Sequence, residues 1–137
     1  MIEYRVRLVG DPDKAWITVV ALNPNDSILK VTGCRPCDIR GFSRPRAGTE
    51  RYGLTSVGAM QYWDVEDTRF VPIIARLALY AQMGKHDPFK NDAERNAVEE
   101  VVKVTGMFYD DARRQVRIWL ITMDSPHRDT IGLHAAE

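Results

Sequence analysis

Cysteine, histidine and lysine are all scarce in this chain: two, three and five of them in 137 residues. With so few thiols the fold has to rest on burial rather than on a disulfide framework, and a chain of this length can bury enough for that. Acidic and basic residues balance at nineteen each. That balance, with an isoelectric point near 6.8, excludes a protein that coats nucleic acid through bulk positive charge. No apolar run reaches the roughly 18–20 residues that a membrane span needs. The opening Met1-Ile2-Glu3-Tyr4-Arg5 alternates apolar and charged residues, so it reads as a strand and not as a signal peptide, and a cytoplasmic setting is expected. There is no phosphate-loop or dinucleotide glycine pattern, and Ser27, Ser43, Ser56 and Ser125 lie in no elbow motif. Internal repeats, low-complexity stretches and linkers are absent as well, which makes residues 1–137 a single domain.

What is present is a set of periodic segments. Residues 3–9 alternate strictly, with Tyr4, Val6 and Leu8 on one side and Glu3, Arg5 and Arg7 on the other, the pattern of a half-buried strand. After the turn cluster Gly10-Asp11-Pro12-Asp13, the β-branched run from Trp16 to Leu22 predicts a second strand. Asn23-Pro24-Asn25-Asp26 turns the chain, and Ile28 to Thr32 is expected to return as a hairpin partner. Met60 to Val65 suits a further strand. The apolar spacing of Ile73, Ile74, Leu77, Tyr80 and Ala81 predicts a helix over about 70–83, with Gly84 placed to end it, although a strand through Arg69 to Leu77 fits the same residues. So apolar a helix would be buried or would serve as a homodimer face. A second helix is predicted over 91–105, capped by Asn91 and ended by Gly106, with Ala97, Val98, Val101, Val102 and Thr105 facing inward. Met107 to Tyr109 and Val116 to Met123 read as a closing β-hairpin. The expected class is α+β: an antiparallel sheet or small barrel built from N- and C-terminal strands, with two helices.

One stretch breaks the regular pattern. Between Cys34 and Arg51 stand five arginines, two prolines and two glycines but no lysine, and only Asp38 and Glu50 oppose the charge. Guanidinium is always charged and offers a planar fork of donors suited to phosphate or carboxylate. Arg35, Arg40, Arg44, Arg46 and Arg51, with the rings of Phe42 and Tyr52 among them, have the chemistry for anion contact plus stacking on a base. These seven are the candidate ligand-binding residues. Arg5, Arg7, Arg114 and Arg117 would extend a basic surface if the first and last strands pair. The plain alternative is a solvated loop whose arginines pair with the acids at 64–67 and 92–100.

The stretch Tyr62-Trp63-Asp64-Val65-Glu66-Asp67-Thr68-Arg69-Phe70 places an aromatic pair, an acid, an aliphatic and a second acid before a further ring. It resembles the strand-turn-strand ending of WYL-type small β-barrel domains and their short phage-encoded relatives, over about residues 16–73. That resemblance implies an SH3-like barrel with a basic face for nucleotides or nucleic acid. The chain departs from the family in lacking a Trp-Tyr-Leu triplet, and from Pro72 onward nothing follows the family pattern.

Other residues carry alternative chemistry. Cys34-Arg35-Pro36-Cys37 has the spacing of a thiol-disulfide site, but Gly41, Pro45 and Gly48 interrupt the helix such a site requires. The same thiols with His86, His127 or His134 would make a zinc site only if distant segments converge. Asp64, Glu66 and Asp67 could hold a metal or could form a solvated turn or helix cap. The reading that results is a small non-enzymatic protein without cofactor or metal. Its Arg-rich loop binds an anionic ligand, a nucleotide or a nucleic-acid backbone, with a homodimer face over 70–83. The alternatives are a phage or mobile-element interaction module that docks on an acidic protein surface, and a thiol redox protein using Cys34 and Cys37.

Overall fold

A computed structural model of the chain describes residues 1–10, 15–36, 46–56, 59–81 and 88–123. The elements run β1 (Ile2–Leu8), β2 (Ile17–Ala21), α1 (Pro24–Thr32), β3 (Thr49–Ser56), β4 (Ala59–Asp67), α2 (Val71–Ala81), α3 (Pro88–Thr105) and α4 (Tyr109–Met123). The class is α+β. The four strands form one antiparallel sheet in the order β2-β1-β4-β3. It is not closed into a barrel, so of the two expected forms the open sheet is the one observed.

Alternation decides what the sheet does with its sides. Val6 lies opposite Ile17 on one neighbour and Val65 on the other, and Tyr52 lies opposite Trp63. This apolar side is covered by α1, whose Ile28 is fully buried among Tyr4, Val6, Ala21, Leu54 and Val65. The helix occupies the stretch expected to be a hairpin strand, and local chemistry explains it. Asn23 accepts a hydrogen bond from the Asp26 amide at 2.8 Å, Pro24 fills the first turn, and Gly33 ends the helix in the left-handed region. A capping side chain, a proline that needs no donor and a terminal glycine outweigh the strand preference of Ile28, Val31 and Thr32.

A second core forms where α2, α3 and α4 pack together. Ile73 and Leu77 of α2 meet Ala97, Val98 and Val101 of α3 and Val116 and Trp119 of α4. The helix predicted over 70–83 is therefore present, as is the one over 91–105, which begins earlier, at Pro88, and takes Asn91 into its interior. The expected closing hairpin is instead α4. Its buried residues Ala112, Val116, Trp119 and Thr122 recur at helical spacing, and Asp110 and Asp111 sit in the first turn where the helix dipole favours acids. Consequently all the strands among the described residues come from the N-terminal half.

The two cores meet at a joint. Phe70, just before α2, packs against Trp119 in a tilted arrangement with ring centroids 5.1 Å apart, and Ala47 packs against the helical cluster. Gly48 has φ +77, and a β-carbon there would run into Ile74 Cδ1 with Trp119 Nε1 also close by. Only glycine fits both the backbone and the space. No described helix is long and apolar enough to cross a membrane.

Gly48→Ala is expected to cost at least about 2 kcal/mol, the left-handed penalty plus the overlap. In Gly48→Ala/Ile74→Ala the overlap is removed while the backbone penalty stays, so the double variant should be less destabilised than the sum of the singles. Urea denaturation of the three proteins tests this; additivity within about 0.5 kcal/mol would remove Ile74 from the explanation.

Candidate functional site

The side of the sheet turned away from α1 is charged. Cross-strand neighbours put Arg7, Asp64 and Arg51 in one row and Arg5, Glu66 and Thr49 in the next. Arg51 clamps Asp64 with two bonds, Nε to Oδ1 at 2.9 Å and Nη2 to Oδ2 at 3.2 Å, and the two side chains are only 3% and 7% exposed. Arg5 donates from Nη2 to Glu66. Arg7, opposite an Asp64 already engaged, lies over the ring of Trp16 with its guanidinium carbon 4.3 Å from the centroid, and that of Arg5 lies 5.4 Å away. Arg51 Nη1 and Arg5 Nε are buried without a hydrogen-bond partner.

At the end of this face, where sheet and helices meet, lies a cavity of about 520 Å³. The sheet contributes Arg5, Glu66 and Asp67, the residue before β2 contributes Trp16, and the turn into β3 contributes Arg46 and Gly48. The opposite wall is one face of α2, formed by Val71, Ile74, Ala75 and Ala78. Asp67 is held by Arg69, whose Nη2 reaches it at 2.8 Å and whose backbone amide donates to it at 3.0 Å. The hydrogen bond raises the Arg69 pKa above its ordinary value, against the opposing effect of burial. Arg46 makes no ion pair within the described residues, and its guanidinium is the lining charge left over.

The seven sequence candidates separate accordingly. Arg46 lines the cavity. Arg51 is on β3 rather than in an irregular loop, and its charge is engaged with Asp64. Tyr52 follows it on the strand and so turns to the other side of the sheet, where it packs against the α1 core and donates to Glu50. Arg35 is exposed after α1 and does not line the cavity. Arg40, Phe42 and Arg44 lie outside the described residues, as do Cys37, His86, His127 and His134. Cys34 is exposed. Arg114 and Arg117 are on α4, not on a strand, and face Asp111 at 3.8 Å and Glu94 at 3.6 Å. The acids 64, 66 and 67 each face a guanidinium, and no metal-holding cluster occurs among the described residues. Trp16 was missed as a site residue because its sequence neighbourhood marks only the start of a strand.

Comparison with known proteins finds no matching family model, no similar curated protein and no similar solved structure. These comparisons neither support nor oppose the WYL-type resemblance over residues 16–73.

Two outcomes follow from the electrostatics. Arg51→Ala leaves the Asp64 carboxylate buried without its partner and should cost about 3–5 kcal/mol, whereas Arg51→Met/Asp64→Leu should cost clearly less; thermal and urea unfolding give both values. Tyr4 is buried, and burial first, then the Asp67 carboxylate, raises its phenol above the ordinary 10.0. The native state thus favours the neutral phenol. Its contribution to stability is complete below pH 10 and is lost as pH rises through the folded pKa. Urea midpoints from pH 8 to 11 should fall more steeply for the wild type than for Tyr4→Phe, and parallel curves would contradict the assignment.

Proposed function

We propose that the protein is a non-enzymatic binding protein that takes a small organic anion into the cavity between the sheet and α2, with Arg46 facing the negative charge. The observation that carries this is the combination of a cavity of about 520 Å³ with one unpaired guanidinium in its described lining. That volume is in the roughly 300–1,000 Å³ range of small-molecule sites. A cleft between two layers, one wall of it a single helix face, favours a compact organic anion over a nucleic-acid backbone, which is gripped along extended grooves. Arg46 also belongs to the Arg-rich stretch, so composition supports the same residue as the cavity lining. The carboxylates of the lining are each held by a guanidinium, an arrangement suited to shaping a site rather than to moving protons.

Native mass spectrometry of the protein as purified tests the reading. A bound mass of a few hundred daltons is expected, lost or much reduced in Arg46→Ala and in Ala75→Phe, and kept in Arg35→Ala. Ala75 is exposed on α2 and lines the cavity, so a larger side chain there fills the space without entering a core. The same spectra report whether α2, with Leu79 at 72% exposure, brings two copies together. A bare protein that also shows no saturable heat with 2-naphthoate, AMP or ATP would overturn the proposal and turn attention to an acidic protein partner.

A further inference from the structure

Resting on the reading of the cavity as an anion site, we infer that its ligand is a singly charged amphipathic anion, an aromatic or branched aliphatic carboxylate, and not a polyphosphate. The charges of the lining set the limit. Glu66 and Asp67 are part of the wall, and each is already matched, Glu66 by Arg5 and Asp67 by Arg69. Within the described lining this leaves one guanidinium, that of Arg46, to meet a ligand charge. A second negative charge would face two carboxylates in a partly desolvated site with no cation of its own, the situation that shifts pKa values or expels the ligand.

The rest of the wall specifies the body of the ligand. Val71, Ile74, Ala75 and Ala78 follow one another at the spacing of a single helix face. The seven-residue step from Val71 to Ala78 makes an apolar strip about 10 Å long at 1.5 Å per residue. Two of the four positions are alanines, so the strip is recessed and open to a guest. Trp16 lies on the other side, near the sheet. An apolar body about two fused rings long would lie along the strip, with its acid group directed to Arg46 at the rim. A triphosphate offers neither the apolar surface nor the single charge.

Isothermal titration calorimetry with ligands of constant shape and graded charge tests this: 2-naphthoate, naphthalene-2,6-dicarboxylate, neutral 2-naphthamide and ATP. The expected order is 2-naphthoate tightest, with the amide and the dicarboxylate each at least tenfold weaker and ATP weaker still, and with Arg46→Ala removing the preference for naphthoate over the amide. Glu66→Gln should release Arg5 and narrow the gap between mono- and dicarboxylate, a gain that damage to the fold would not produce. Tighter binding of the dicarboxylate or of ATP, still dependent on Arg46, would overturn the single-charge assignment while leaving the cavity as the anion site. Binding of the amide and the naphthoate with equal affinity would overturn the role of charge. Absence of binding by all four would overturn this inference, and only together with a bare protein in native mass spectrometry would it overturn the reading beneath it.

Discussion

The seat of Gly48 on Ile74 and Trp119 is the contact on which the rest of the molecule depends. The sheet and α1 enclose one core, and the three C-terminal helices enclose another. Neither is continuous with the other, and the turn that enters β3 is one of the places where they touch. A backbone with no β-carbon, in a left-handed conformation, can lie directly against the α2–α4 surface. Ala47 is partly buried in the same contact, and Arg46 is left at its margin. Sheet, turn and α2 then face each other across a fixed gap, and the cavity is that gap.

The charged side of the sheet obeys a different rule. Ionised groups are tolerated at low exposure only when paired, and removing one partner is more costly than never having either. Arg51 and Asp64 meet that condition through a two-bond clamp, and Arg5 with Glu66 and Arg69 with Asp67 repeat it nearer the surface. Because the acids of β4 are taken up in this way, arginines that look equivalent in the sequence are not equivalent in the fold. Arg51 closes a structural pair, Arg7 rests on a ring, and Arg46 lines the cavity with no ion pair among the described residues.

Much of the architecture could be read from residue order alone, and the failures have physical causes. Strict alternation over residues 3–9 and the β-branched run after Trp16 place β1 and β2 where they are found, and α2 and α3 follow from apolar spacing. The α1 segment departs from expectation because Ile28, Val31 and Thr32 favour strands by their branching, while Asn23-Pro24, which has the composition of a turn, acts as the deciding cap. In α4 the β-branched Val116, Ile118, Ile121 and Thr122 favour a strand; the helix is chosen by what Ala112, Val116 and Trp119 bury against α2 and α3, a tertiary effect that no local window contains. As for the candidate site, composition singles out the stretch that contains Arg46 but cannot rank its arginines. Which of them is free depends on cross-strand register, Asp64 beside Arg51 and Glu66 beside Arg5, and on Trp16 coming near a helix more than fifty residues later in the chain.

The order β2-β1-β4-β3 has a consequence for how the protein is made. The strand that emerges last from the ribosome occupies an interior position, so the sheet cannot grow outward from its first hairpin. Until β4 arrives, β1 and β2 exist as a two-stranded unit, marginal in water, with only α1 to shield its apolar side. Arg5 meets Glu66 across a separation of 61 residues, and the entropy of closing that interval falls on a single pairing step. The helices from Val71 onward, by contrast, join neighbours in sequence and can assemble quickly once synthesised. Completion of the sheet therefore rests on the late docking of the β3–β4 hairpin, through β4, against the waiting edge of β1.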